Sequence, residues 1–113
     1  MASGYCVVVT TVDSADAADQ LAARALNARL AACVQVFPVM SHYVWDGARR
    51  KEPEFLLQIK TRDDCWDALA KLISEAHPYE TPEILRTPIT AGDPRYLRWI
   101  DEATDRRRGP PEA

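Results

Sequence analysis

Apolar residues recur along this chain in two rhythms, one suited to strands and one to helices. From Tyr5 to Val12, YCVVVTTV is rich in β-branched residues and too short for a good helix, which predicts a buried strand. The next segment, DSADAADQLAARALNARLAA, switches to alanine and leucine. Ala18, Ala22, Leu26 and Leu30 repeat every four residues, and Asp13 or Ser14 is placed to cap the start, so the pattern predicts an amphipathic helix. Its many alanines let it lie close to a sheet.

From Cys33 the rhythm turns strand-like again in CVQVFPVMSHYVW. Pro38 interrupts it and, lacking an N–H for the ladder, suggests an edge position or a bulge. Asp46-Gly47 then reads as a tight hairpin turn. The return strand is expected over Glu54–Thr61, with the charged, proline-containing ARRKEPE as an exposed and mobile tip. A second helix follows Asp63 or Asp64, its stripe formed by Cys65, Trp66, Leu69, Leu72, Ile73 and Ala76, and Pro78 stops it. PEILRTPIT gives a fourth strand broken by Pro88, with Glu83 at its start. In AGDPRYLRWIDEA, Asp93 as N-cap and Pro94 at the first helical position open a last helix whose Tyr96, Leu97, Ile100 and Ala103 face the core.

The order β-α-β-β-α-β plus a terminal helix defines an α+β, ferredoxin-like arrangement: an antiparallel sheet with two helices on one face. Two helices cannot cover all the apolar residues of the long hairpin, so the opposite face is expected to pack against another copy of the chain. Residues 1–4 are expected to form a flexible N-terminus, 5–103 the folded domain, and 104–113 a disordered tail with little to bury.

Composition narrows the function classes. At 113 residues the chain fits one domain, and 47% hydrophobic with 27% charged residues is ordinary for a globular protein. The net charge is -3 despite Arg106, Arg107 and Arg108, so the body repels phosphate backbones and nucleic acid is not an expected partner. No apolar run reaches the roughly 18 residues of a membrane span, and the start of the chain lacks the features of a secretory signal, which predicts a cytoplasmic protein that does not enter membranes. Cys6, Cys33 and Cys65 are an odd count at wide spacings and read as reduced thiols, most simply as core residues.

VVVTT, RLAACVQVFPVMSHYVWDG, LLQIKTR, HPYETPEIL, PIT and GDPRYLRWID, taken together over residues 5 to 103, resemble the CutA divalent-cation tolerance proteins. The resemblance implies a ferredoxin-like subunit in a P-II-like homotrimer whose hairpin strands continue the sheets of neighbouring subunits. It also implies a role in tolerance to copper and other divalent metals, with no established enzymatic activity. Some family members offer copper a cysteine near the end of the first strand and a histidine pair before the proline; here those positions read Thr10, Ala76 and His77.

Chemistry-bearing residues concentrate in AHPYETPE. His77 is a candidate metal ligand or proton carrier, and Cys33 a second candidate metal ligand, although helix termination for His77 and core packing for Cys33 are the plainer readings. Were neighbouring subunits to bring Lys60, His77, Tyr79 and Glu80 together, the cleft would hold a cation, an acid or base and a carboxylate, suited to a small anion or a metal-bound ligand. An ion pair between subunits is the plainer reading of Lys60 and Glu83. Tyr43 and Trp45 are expected at an interface between copies. No nucleophile–base pair, phosphate-cradling glycine loop or H-E-x-x-H helix is present, so the chain is read as a non-enzyme that requires no cofactor, binding copper or another divalent metal weakly. The alternatives are a structural or partner-anchoring trimer, and a proton-transfer catalyst using His77 and Glu80.

Overall fold

The computed structural model describes residues 3–112. Its elements are β1 (Tyr5–Val12), α1 (Ala15–Asn27), β2 (Cys33–Trp45), β3 (Ala48–Arg62), α2 (Trp66–Ala76), β4 (Leu85–Ile89) and α3 (Pro94–Ala103), with a single 3-10 turn, Asp63–Cys65, leading into α2. The four strands form one antiparallel sheet in the order β2-β3-β1-β4. Strand β3 therefore lies between β1 and β2, the split crossover of the ferredoxin-like α+β fold.

Alternation along the strands separates two faces. Cys6, Val8, Thr10 and Val12 of β1 and Leu57, Ile59 and Thr61 of β3 are buried; the apolar ones pack with Ala18, Leu21 and Ala25 of α1 and Leu69 and Ile73 of α2 in one core. The buried stripe of α1 thus runs through Ala18, Leu21 and Ala25, whereas Ala22 and Leu26 of the expected four-residue repeat lie at its margin. A 3.6-residue turn rotates a strict repeat of four away from the sheet. Ser14 is the N-cap, its Oγ accepting from the Ala17 N–H at 3.0 Å. The α2 stripe is as the sequence predicts, with Cys65, Leu69 and Ile73 buried and Trp66, Leu72 and Ala76 beside them.

The hairpin differs most from expectation. β3 starts at Ala48, not Glu54, and pairs with β2 without a slip from Cys33 opposite Lys60 to Trp45 opposite Ala48. Neither proline interrupts the ladder. Pro38 is in the edge strand, and Pro53 lies beyond Phe55, where β1 stops pairing with β3 and one side of the strand is open. The turn uses Asp46 and Gly47, both at positive φ (51° and 76°), the two-residue geometry whose twist suits a hairpin. Every residue from His42 to Pro53 is exposed, so the hairpin is an arm projecting from the body. The Cα radius of gyration is accordingly 14.7 Å, against about 13 Å for a compact chain of this length.

β4 begins at Leu85, later than Pro82, which places Glu83 in the preceding loop. Helix α3 does not join the main core. It lies across one end of the other face, where the Tyr5 hydroxyl donates to Asp101 (2.7 Å), the Lys60 ammonium sits 5.9 Å from the Tyr96 ring centre, and Arg62 holds Thr104. Only Ile100 of α3 is buried; Tyr96 is exposed. The remainder of that face carries Val9, Leu56, Phe37 and Leu85, the last two 41% and 56% exposed. Ser3 donates to the Ile89 carbonyl, and the Gly4 carbonyl accepts from the Asp63 N–H. The N-terminal and tail expectations also touch residues 1, 2 and 113, which lie outside the described residues.

Candidate functional site

Proline at position 78 ends α2 and turns the chain so that His77, in an extended conformation, points back under the end of β1. Its Nε2 lies 2.9 Å from the Thr11 carbonyl and 3.1 Å from Thr10 Oγ1, and its Nδ1 accepts the Tyr79 N–H at 3.1 Å. A carbonyl can only accept and an amide N–H can only donate, so these bonds fix one neutral tautomer, with the proton on Nε2. Burial depresses the imidazole's proton affinity, outweighing the bond to Thr11 and the nearby carboxylates of Asp13 and Glu54. Both ring nitrogens are occupied, and no lone pair is free in this conformation.

Tyr79 stacks at a tilt against His77, with ring centres 4.9 Å apart, and its hydroxyl donates to Glu54 Oε2 at 2.6 Å. The phenol is pushed well above its ordinary range, first by burial and then by that bond. A continuous link therefore runs from β1 through His77 and Tyr79 to Glu54 on the arm. Sequence reasoning missed Glu54; an extension of β3 through Pro53 is the signal that places it beside the loop.

Beyond this link lies an open groove of about 530 Å³ between the arm and the loop, whose walls include Tyr43, Trp45, Glu54, Tyr79, Glu80 and Glu83. Tyr43 and Trp45, expected at an interface, here form the aromatic wall and are 41% and 51% exposed in the single chain. Glu80 is exposed on the groove's rim. His42, next in the arm, faces Lys51 across the ladder.

Lys60 is not part of this assembly within one chain. It sits three to four rungs along β3 from Leu56 and Leu57, the partners of Thr11 and Thr10, and its ammonium donates to Gln35 at 2.8 Å. Cys33 is its cross-strand partner and is half-buried on the α3-bearing face, outside the core expected for it. Cys6 and Cys65 are the core thiols, and burial raises that of Cys6 to about 12. Thr10 and Ala76 offer no thiolate or imidazole beside His77, and among the described residues no three His, Cys, Asp or Glu side chains converge to hold a metal ion. A single chain thus does not fit a preformed metal centre.

The fold and this junction define a class: a ferredoxin-like α+β subunit with a protruding hairpin and an incompletely covered sheet. Comparison with known proteins gives the family. Residues 6–103 match the model described as CutA1 divalent ion tolerance protein, and the chain belongs to that family. It is 40% identical over 100 residues to the divalent-cation tolerance protein CutA of Yersinia pestis (strain Pestoides F), covering 88% of this chain and 84% of that protein. It is 38% identical over 99 residues to the chloroplastic protein CutA 1 of Oryza sativa, covering 87% of this chain. The chain spans only 56% and 54% of the rice and Arabidopsis thaliana relatives it matches. Among solved structures, the periplasmic divalent cation tolerance protein CutA of Archaeoglobus fulgidus superposes with a TM-score of 0.88 at 34% identity, covering 89% of this chain and 99% of that one. CutA1 of Shewanella sp. SIB1 gives 0.88 at 36%, covering 93% and 99%. No helix among the described residues is long and apolar enough to cross a membrane.

Proposed function

We propose that this chain is the subunit of a homotrimeric divalent-cation tolerance protein of the cytoplasm, a binding module with no catalytic step and no required cofactor. The observation that carries the assembly is the uncovered sheet face: Phe37, Leu56, Val9 and Leu85 form an apolar surface beside an arm that a single chain leaves without packing partners. Tyr43 and Trp45 supply the large amphipathic contacts that such interfaces favour.

The function resides in clefts between chains. Lys60 of one subunit meets the His77–Tyr79–Glu80 junction of another, and the cleft takes a small anion or a metal-bound ligand weakly. Copper or another divalent cation binds there with ligands from more than one chain, because His77 has no free nitrogen and Cys33 stands apart. The name of the Yersinia relative, a divalent-cation tolerance protein, supports this reading. Isothermal titration of the assembled protein with copper, zinc and common nucleotides tests it: weak, saturable heats are expected, and their absence at millimolar ligand overturns the cleft-binding role.

A second reading has its own support. The saturated hydrogen bonding of His77 is what a purely structural junction requires, and it favours a partner-anchoring trimer over proton transfer between His77 and Glu80. Replacing Glu80 with Ala while retaining full metal tolerance in cells selects the anchoring role.

A further inference from the structure

Helix α1 ends in a left-handed cap. The Leu30 N–H bonds the Ala25 carbonyl and the Arg29 N–H the Leu26 carbonyl, each at 3.0 Å, which is the Schellman pattern with Arg29 at the position glycine usually fills. Arg29 has φ 58°, a conformation disfavoured for a residue with a Cβ. An arginine held there calls for a compensating contact.

That contact lies at the far end of the chain. Arg29 Nη1 donates to the Ala103 carbonyl at 3.3 Å and Nε to the Gly109 carbonyl at 3.1 Å. Arg62, at the end of β3, donates from Nη2 to the Thr104 carbonyl at 3.0 Å and from Nε to Thr104 Oγ1 at 2.9 Å. Thr104 is fully buried and donates in turn to the Ile100 carbonyl at 2.7 Å. Two guanidinium groups from the folded body therefore bind the Ala103 and Thr104 carbonyls at the end of α3, where a helix leaves such groups unpaired, and one of them also binds the Gly109 carbonyl further along the strap. The turn after it is closed by Asp105, which pairs with Arg107 and Arg108.

We propose that Arg29 and Arg62 form a latch that fixes α3, through the strap of residues 104–109, across one end of the open sheet face. Releasing it frees α3 from Tyr5 and Lys60, exposes the buried Ile100 and enlarges the uncovered apolar surface. The two arginines and α3 lie within the family-matched residues 6–103, whereas the strap they hold, residues 104–109, lies beyond them, and neither depends on the cleft-binding role.

The test uses the full chain carrying Arg29→Gly or Arg29→Asn, both of which accept the left-handed backbone, so loss of the side chain is separated from backbone strain. Hydrogen exchange and limited trypsin digestion are read on each. The latch predicts at least tenfold faster exchange of α3 amides and faster cleavage after Arg106, Arg107 and Arg108 in both variants, with the β1–β3 ladder unchanged. Exchange in α3 equal to or slower than that of the parent chain, as relief of backbone strain alone would give, overturns the proposal.

Discussion

The Tyr79 hydroxyl donates to Glu54 Oε2 across 2.6 Å, joining the loop after α2 to the base of the hairpin arm. With His77 behind it, this bond decides how the groove between arm and loop is shaped. Removing the hydroxyl by Tyr79→Phe leaves Glu54 partly solvated, so the cost is expected to be about 1 kcal/mol, the scale of one net hydrogen bond. Urea denaturation of the two proteins measures it, and an unchanged midpoint denies the link any structural weight.

His77 predicts the direction of pH dependence. Its folded-state pKa lies below the ordinary 6.5, so the unfolded chain binds the proton more readily. Stability from this group is therefore complete above pH 6.5 and falls as pH drops from there toward the depressed folded value. His77→Gln should flatten that segment of the stability curve. Stability that rises on acidification through the same window contradicts the neutral tautomer.

The core between sheet and helices sets the largest single-residue effects. Leu69 and Ile73 are fully buried against β1 and β3. Truncating either to alanine is expected to cost about 2–5 kcal/mol. A loss below 1 kcal/mol by chemical denaturation, in a variant that keeps its assembly state, means that α2 is not packed as described.

The apolar face should respond to charge. Leu85→Glu places a carboxylate in the exposed patch without touching the buried core, so a single chain tolerates it while an interface does not. Analytical size exclusion is expected to show dissociation with retained far-ultraviolet circular dichroism; an unchanged elution volume argues that β4 lies outside the contact.

Much of the fold was legible because its signals are local. Asp46-Gly47 announced the hairpin turn, Asp93-Pro94 the start of α3, and the α2 stripe its buried side. The length of β3 was not, because Pro53 reads as a breaker until one knows that β1 ends opposite Phe55 and leaves that edge open. The placement of α3 was equally hidden: Tyr96 and Ile100 look alike as apolar positions, and only tertiary packing buries one and exposes the other. At the site, His77 and Tyr79 were visible as chemistry, but their partners Thr11 and Glu54 are 66 and 25 residues away in sequence and carry no motif. Lys60 was expected at the junction only through a neighbouring subunit, and within one chain it stands three to four rungs away and bonds Gln35 instead.

Sedimentation velocity of the full chain at micromolar concentration tests the central claim most directly. Three chains of 12.7 kDa predict a single species near 38 kDa that persists on dilution. A folded species of 12.7 kDa under the same conditions contradicts the account, since the apolar sheet face would then stand in water and no cleft between subunits would exist.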